Sequence, residues 1–200
     1  NYVLNVQPAL ADVIISPAPV TVSGLSPVNR TYDGSTTVAL SGLPTFTGLV
    51  EGQSLTIGNL STGGQAASAN AGTQAVSGQV QLADGTDGLA SNYTLSIQPT
   101  LADVTISPAP VTVSGLSPVD RAYDGSATVA LAGTPVFTGL VDDQTLTIGN
   151  LSTGAVAANA NAGTQAVSAQ VQLADGTNGS ASNYVLNVQP ALADVIISPA

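Results

Sequence analysis

Apolar and polar residues alternate with a period of two along most of the chain. Leu55-Thr56-Ile57 is a short example, and the segment from Ala75 to Leu82 is a longer one. This alternation is typical of β-strands that bury one face. Strands are predicted over 20–22, 37–40, 55–57, 75–82, 93–97 and 101–106. The pattern therefore predicts an all-β protein.

Residues that favour turns separate the predicted strands. Gly, Asn and Asp tolerate positive φ and bond to nearby backbone groups. They occur at 32–34, 48, 58–59, 70–72 and 84–88. About seven short strands in roughly 90 residues predict an Ig-like β-sandwich. The Ala-rich segment 66–71 carries a competing helical signal, and a β-grasp-like domain is the alternative if this segment is helical.

The chain is an internal tandem repeat with an offset of 91 residues. Residues 1–91 align with 92–182 without a gap, and 71 of the 91 positions are identical. Residues 183–200 then repeat 1–18 without a change. Self-similarity at a fixed period indicates an array of similar domains.

The domain edges are predicted at Pro17-Ala18-Pro19 and its copy Pro108-Ala109-Pro110. Proline lacks a ladder donor and fixes φ, so one strand should end here and the next should begin after a stiff, extended link. The predicted division is a closing strand of a truncated preceding repeat over 1–18, followed by β-sandwich repeats over 19–109 and 110–200. Because residues 1–4 already alternate, we expect the chain to be part of a longer protein.

The composition excludes most catalytic chemistry. The chain has two Lys and Arg residues against twelve Asp and Glu, and it lacks His, Cys, Met and Trp. Without His or Cys, a serine or thiol nucleophile has no activating base, and no thiolate metal site can form. Nucleic acids and anionic membranes need clustered cations, whereas Arg30 and Arg121 are the only two here. We therefore expect no enzyme, no nucleic-acid partner and no membrane insertion.

Two acidic loops are candidates for binding Ca²⁺. Asp84 and Asp87 lie in the first, and the second is its copy at 175–179. Two side-chain oxygens fall short of the roughly six to eight ligands that Ca²⁺ takes, and Asp-Gly is an ordinary turn sequence. Further ligands would have to come from Asp12, Asp103 and Asp194, each just before a closing apolar strand. The sequence favours turns without a metal or cofactor, and calcium binding is the alternative.

Asp142-Asp143 has the composition of a paired-carboxylate site for acid–base catalysis. The equivalent residues of the first copy are Glu51-Gly52. Neighbouring side chains on an extended segment point to opposite sides, whereas paired catalytic carboxylates face each other across a cleft. The sequence therefore favours a solvated loop and no catalytic residue.

Tyr32, Tyr93 and their copies are interpreted as anchors of cores made otherwise of small aliphatic side chains. The two phenylalanines are the only other large rings between them. Tyr93 is expected to form a tyrosine-corner-like lock, with its hydroxyl bonded to a backbone group. The alternative is that these rings are stacking platforms for sugars.

Four motifs together resemble the YDG/MBG-type repeats of filamentous-haemagglutinin-like bacterial adhesins. They are Tyr32-Asp33-Gly34, Asn70-Ala71-Gly72-Thr73, Asn92-Tyr93-Thr94-Leu95 and the closing segment 102–109. The resemblance covers the whole repeat. It implies an all-β module repeated along a stalk that is exported to the bacterial surface or secreted.

The function expected from this sequence is that of a stalk or spacer in a large bacterial adhesin involved in cell adhesion or biofilms. Modules joined by Pro-Ala-Pro should stack, so that length scales with copy number. We expect a monomer whose partners are its neighbouring repeats, with glycan or host ligands bound by another part of the protein. The alternative is a binding module with weak, multivalent sites for glycan or Ca²⁺.

Overall fold

The computed structural model describes residues 8–200 together with Val3 and Val6. The regular structure of this part is β throughout, apart from short 3₁₀ turns, so the prediction of an all-β protein is confirmed. These turns are Leu60–Thr62, Ala90–Asn92, Leu151–Thr153 and Ala181–Asn183. No helix among the described residues is long and apolar enough to cross a membrane.

The first repeat is built from short strands. They are β1 (Ala18–Pro19), β2 (Thr21–Pro27), β3 (Arg30–Thr31), β4 (Thr37–Val38), β5 (Leu40–Thr47), β6 (Leu55–Ile57), β7 (Gly64–Ala66), β8 (Gly72–Gln74), β9 (Val76–Gly78), β10 (Leu82–Asp84), β11 (Tyr93–Thr94) and β12 (Val104–Ser107).

The second repeat has the same elements, 91 residues further along the chain. They are β13 (Ala109–Pro110), β14 (Thr112–Pro118), β15 (Arg121–Ala122), β16 (Thr128–Val129), β17 (Leu131–Thr138), β18 (Leu146–Ile148), β19 (Ala155–Ala157), β20 (Gly163–Gln165), β21 (Val167–Ala169), β22 (Leu173–Asp175), β23 (Tyr184–Val185) and β24 (Val195–Ser198).

The strands form many small sheets of two or three strands. In the second repeat, β14 pairs antiparallel with β17, and β18 pairs antiparallel with β22. β19 lies between β16 and β21 in an antiparallel sheet. β24 lies between β15 and β20, parallel to the first and antiparallel to the second.

Contacts divide the chain into two compact units that do not follow the repeat boundary. The first unit takes residues up to 27, 38–65 and 77–101, and it contains the β2–β5, β6–β10 and β1–β11 pairs. The second takes 28–37, 66–76 and 102–200. It therefore holds the β3–β12–β8 sheet of the first repeat together with the whole of the second repeat.

Each unit buries its own aliphatic core. In the first unit, Val22, Leu25, Leu40 and Val80 pack with Phe46 and other partly buried side chains. In the second unit, the core includes residues of β14, β16, β17, β19 and β24. Apolar burial of this kind is the main favourable term in folding.

The pairing of β2 with β5 contains a bulge between Ser23 and Leu25. Gly24 and Gly42 approach each other closely there, with φ of 80° and 108°. A Cβ on Gly42 would lie 2.3 Å from the carbonyl oxygen of Gly24. Because only glycine tolerates this conformation and approach, both positions require it.

The Pro-Ala-Pro link is part of a sheet. The link is extended, as expected, and Ala18–Pro19 also pairs in parallel with Tyr93–Thr94. The Val20 amide donates to the Thr94 carbonyl at 2.9 Å. The copy, Ala109–Pro110, pairs with Tyr184–Val185 in the same way. Proline can occupy such an edge because its missing N–H faces away from the partner strand.

Two further expectations concern the Ala-rich segment 66–71 and the closing strand predicted over 1–18. The Ala-rich segment contains the end of β7 and then irregular backbone up to β8, so it is not helical and the condition for the β-grasp alternative is not met. Residues 8–17 contain no strand and are exposed. Residues 1, 2, 4, 5 and 7 of the predicted closing strand lie outside the described residues.

Candidate functional site: the contact between successive repeats

The Tyr-Asp-Gly segment forms a turn that is held by side-chain hydrogen bonds and carries Tyr32. Asp33 Oδ1 accepts the Ser35 amide at 2.8 Å, and the Arg30 guanidinium donates to both the Asp33 carboxylate and the Ser35 carbonyl. Gly34 has φ of 77°, a conformation that side-chain-bearing residues adopt with strain. An Asx-type bond and an ion pair thus hold the backbone on which Tyr32 sits.

The second copy of the turn is the same in detail. Asp124 Oδ1 accepts the Ser126 amide at 2.8 Å, the Arg121 guanidinium donates to Asp124, and Gly125 has φ of 78°. Hydrogen bonding from the Ser126 amide, helped by Arg121, lowers the pKa of Asp124 below its usual 3.8. The turn is therefore formed within each repeat by its own residues.

Within the second unit, Tyr32 of the first repeat packs against Tyr184 of the second. The ring centroids are 5.5 Å apart at an interplanar angle of 78°, an edge-to-face contact. Gln144 Nε2 donates to the Tyr32 hydroxyl at 2.8 Å, and the Tyr184 hydroxyl donates to Gln144 Oε1 at 2.6 Å. One glutamine thus links the two tyrosines.

A second set of bonds lies beside the aromatic pair. Asn183 Oδ1 accepts the Ala71 amide at 2.8 Å, and Asn183 Nδ2 donates to Asn70 Oδ1 at 3.0 Å. Asn183 is only 3% exposed. A buried amide needs partners for its donors and acceptor, and the Asn-Ala-Gly turn of the preceding repeat supplies them. We call these residues the junction cluster: Tyr32, Asn70, Ala71, Gln144, Asn183 and Tyr184.

The exposure of equivalent residues in the two repeats shows which side chains the contact buries. Tyr32 is 7% exposed, whereas Tyr123, in the same turn of the second repeat, is 45% exposed. Asn183 is buried, whereas Asn92 is exposed. The interpretation of these tyrosines as anchors of their own cores therefore holds only in part, because Tyr123 stays 45% exposed and Tyr32 is fully buried only by contact with the next repeat.

Tyr93 and Tyr184 do act as internal anchors. The Tyr93 hydroxyl accepts the Val50 amide at 3.1 Å and donates to Gln53 Oε1 at 2.5 Å. The Tyr184 hydroxyl accepts the Val141 amide at 3.0 Å. Burial raises the pKa of Tyr184 above its usual 10, partly offset by that amide. The predicted lock between a tyrosine hydroxyl and the backbone is thus present in both repeats.

The candidate calcium loops serve as turns. Asp84 Oδ1 accepts the Ala90 amide at 2.7 Å, and Asp87 has φ of 55°. Asp12, Asp103 and Asp194 are exposed. Within residues 8–200, no three acidic side chains are grouped so that they could hold a metal ion.

The Asp142-Asp143 pair, for which the sequence favoured a solvated loop, also lies in a turn. Asp142 and Asp143 are both exposed, and Asp143 has φ of 54°. The two side chains therefore lie in a solvated loop, as the sequence favoured.

Sequence reasoning selected Tyr32, Asn70 and Asn92-Tyr93 as motifs but gave them local roles. It missed Gln144 and its copy Gln53 altogether. The available signal was identity between the two copies, since each residue type of the junction cluster recurs unchanged 91 residues away.

The architecture places the chain in the class of tandem all-β repeat proteins, with a contact between successive copies built from side chains that both copies possess. The YDG domain model matches residues 16–101 and again residues 107–191. The chain therefore belongs to the YDG domain family, with two tandem copies. No curated protein and no solved structure gives a significant match to it.

Proposed function

We propose that the chain is a non-catalytic segment of a large bacterial surface or secreted adhesin, in which tandem YDG domains set the length and stiffness of a stalk. On this proposal, each repeat is an Ig-like β-sandwich domain that works outside the cell. Its partners along the chain are the neighbouring repeats. Another part of the protein binds the glycan or host ligand.

The observation that supports this proposal is the junction cluster. Tyr32 and Asn70 come from one repeat, whereas Gln144 and Asn183 come from the next, and their polar groups satisfy one another. Rotation about the link at Pro108 would expose the ring and leave buried amides without partners, which typically costs about 1–3 kcal/mol for each group. A contact of this kind favours one fixed arrangement of successive domains.

The same contact suits a repeated structure. Nearest-neighbour contacts in a tandem array add with each copy, so stiffness is local while length follows copy number. The link also contributes, because Ala109–Pro110 is bonded to Tyr184–Val185 and cannot swing as a free linker would. A spacer needs local stiffness and a length set by copy number, and it needs no reactive site.

Small-angle X-ray scattering from the dilute chain tests the spacer role. We expect a particle whose maximum dimension and rigidity do not change when millimolar Ca²⁺ is added. Tyr32→Ala should make it flexible, whereas Tyr123→Ala, the same change in the exposed copy, should not. A wild-type chain as flexible as Tyr32→Ala would contradict the proposal, and stiffening only after calcium is added would favour the calcium-binding alternative.

A further inference from the structure

The first and last segments of the second repeat pair with each other at two places, in the same direction. β13 pairs in parallel with β23, and β15 pairs in parallel with β24. The partners are 75 residues apart in the first pair and 76 apart in the second. Because this separation hardly changes, segments 109–122 and 184–198 advance together from one pair to the other.

Further hydrogen bonds extend both pairs. The Val111 amide donates to the Val185 carbonyl at 2.9 Å, and the Tyr123 amide donates to the Ser198 carbonyl at 2.8 Å. The inward side chains of β24 are at most 1% exposed. Hydrogen bonds next to a buried core are stronger than bonds in water, and water cannot readily replace them.

The first repeat has the same two pairs. β1 pairs in parallel with β11 at a separation of 75 residues, and β3 pairs in parallel with β12 at a separation of 76. A side chain strengthens the second pair in each copy. Asn29 Oδ1 accepts the Thr105 amide at 2.8 Å, and Asp120 Oδ1 accepts the Ile196 amide at 2.8 Å. The pairing of first and last strands is therefore a property of the repeat.

The link between the repeats joins two of these paired strands directly. β12 ends at Ser107 and β13 begins at Ala109, so Pro108 alone separates them. β12 is held by β3 of the first repeat, whereas β13 is held by β23 of the second. A flexible linker would extend before the domains felt any tension. Here tension passes from one paired strand to the next across a single proline.

The direction of the pairing decides how tension acts on it. Tension along the chain pulls the first strand of a repeat towards its N-terminus and the last strand towards its C-terminus. In a parallel pair these directions are opposite along one axis, so the strands must slide past each other. The evenly spaced bonds of a parallel pair are then loaded together instead of breaking one after another.

We propose that the parallel pairing of the first and last strands is a load-bearing clamp, by which each repeat resists tension along the chain. The inference rests on the proposed spacer role and deepens it, since a stalk is put under tension when its two ends are held apart. The clamp lies within each repeat. It is therefore separate from the junction cluster, which joins one repeat to the next.

Single-molecule force spectroscopy with two pulling directions tests the proposal. The chain has no cysteine, so an engineered pair defines where force is applied. Ala11→Cys with Ala200→Cys pulls along the chain. Tyr123→Cys with Ala200→Cys pulls at the neighbouring C-terminal ends of β15 and β24 and peels them apart. All three positions are exposed.

A matched background keeps the comparison to direction alone. The Ala11→Cys chain also carries Tyr123→Ser, so that both chains lack the exposed ring. Urea unfolding checks that both are folded and equally stable. Forced unfolding follows the unfolding rate along the direction of pulling, so equal stability does not require equal rupture force.

We expect a higher rupture force along the chain than in the peeling direction. Along the chain, each rupture should release a whole repeat in one step, which for residues 109–198 is about 300 Å of extended chain. Equal rupture forces in the two directions, or extension along the chain in steps much shorter than a repeat, would overturn the inference. A chain that is rigid in the scattering experiment but ruptures equally easily in both directions would keep the spacer role and lose the clamp.

Discussion

Replacing Tyr32 or Tyr123 with alanine isolates the stabilisation contributed by the contact between repeats. The two residues occupy copies of one turn, and each tyrosine amide bonds to a serine carbonyl at 2.8 Å. They differ in what covers the ring. The difference between the two variants therefore reports the contact and largely cancels effects on the turn itself.

The size of the effect follows from exposure. The exposed fraction rises from 7% at Tyr32 to 45% at Tyr123, so the contact covers about four tenths of the ring. For a side chain that buries roughly 200 Å², at about 25 cal/mol per Å², this corresponds to about 2 kcal/mol. The bond from Gln144 adds about 1 kcal/mol. We expect Tyr32→Ala to lose about 3 kcal/mol more than Tyr123→Ala.

Urea unfolding followed by circular dichroism measures this difference. Tyr32→Phe separates the two terms, because it keeps the ring and removes only the hydroxyl bonded to Gln144. It should lose about 1 kcal/mol, whereas Tyr123→Phe should be nearly neutral. Equal losses for the two alanine variants would refute the reasoning, since they would show that Tyr32 stabilises only its own repeat.

Three further predictions use the same internal symmetry. Asn183→Ala should destabilise the chain by about 1–3 kcal/mol in thermal or urea unfolding, because it leaves the Ala71 amide and the Asn70 side chain without their hydrogen-bond partner. Asn92→Ala, at the exposed copy, should be nearly neutral. Gly42→Ala should destabilise the chain by more than the about 1–3 kcal/mol that backbone strain alone costs, because the added Cβ also clashes with a carbonyl oxygen. Gly52→Ala should show the strain alone, because Gly52 has φ of 81° but a Cβ there would have no atom within 4 Å. Asp124→Asn should destabilise the folded chain at pH 7, because the ionised Asp124 carboxylate accepts the Ser126 amide and pairs with Arg121. A lowered pKa in the folded state contributes stability at higher pH and loses it as the pH falls through that pKa, so the difference in unfolding free energy between wild type and variant should vanish in acid. A difference that persists in acid would contradict this assignment.

The sequence allowed the β class, the repeat and several strands to be predicted, because period-two alternation and repeat identity are local signals. The strand over 55–57 agrees with β6 residue for residue. The β5 strand was missed because Gly42 and Pro44 interrupt its pattern. Those residues are tolerated since β5 pairs with β2 across a bulge, and that pairing is not visible in either segment alone.

The candidate site was harder to predict, because its residues are far apart in the chain. Tyr32 and Gln144 are 112 residues apart, and Asn70 and Asn183 are 113 apart. Tyrosine among small aliphatic residues has the same sequence signature whether its own core or a neighbouring domain buries it. Only the difference between Tyr32 and Tyr123 in the structure separates these cases.

Amide hydrogen exchange at Ala71 tests most directly whether the junction cluster joins successive repeats. The Ala71 amide is bonded to buried Asn183, whereas its copy at Ala162 is exposed. The account predicts strong protection at Ala71, fast exchange at Ala162, and loss of the Ala71 protection in Tyr32→Ala. Equally fast exchange at both amides in the wild-type chain would show that the repeats do not hold each other, and would contradict the proposed spacer.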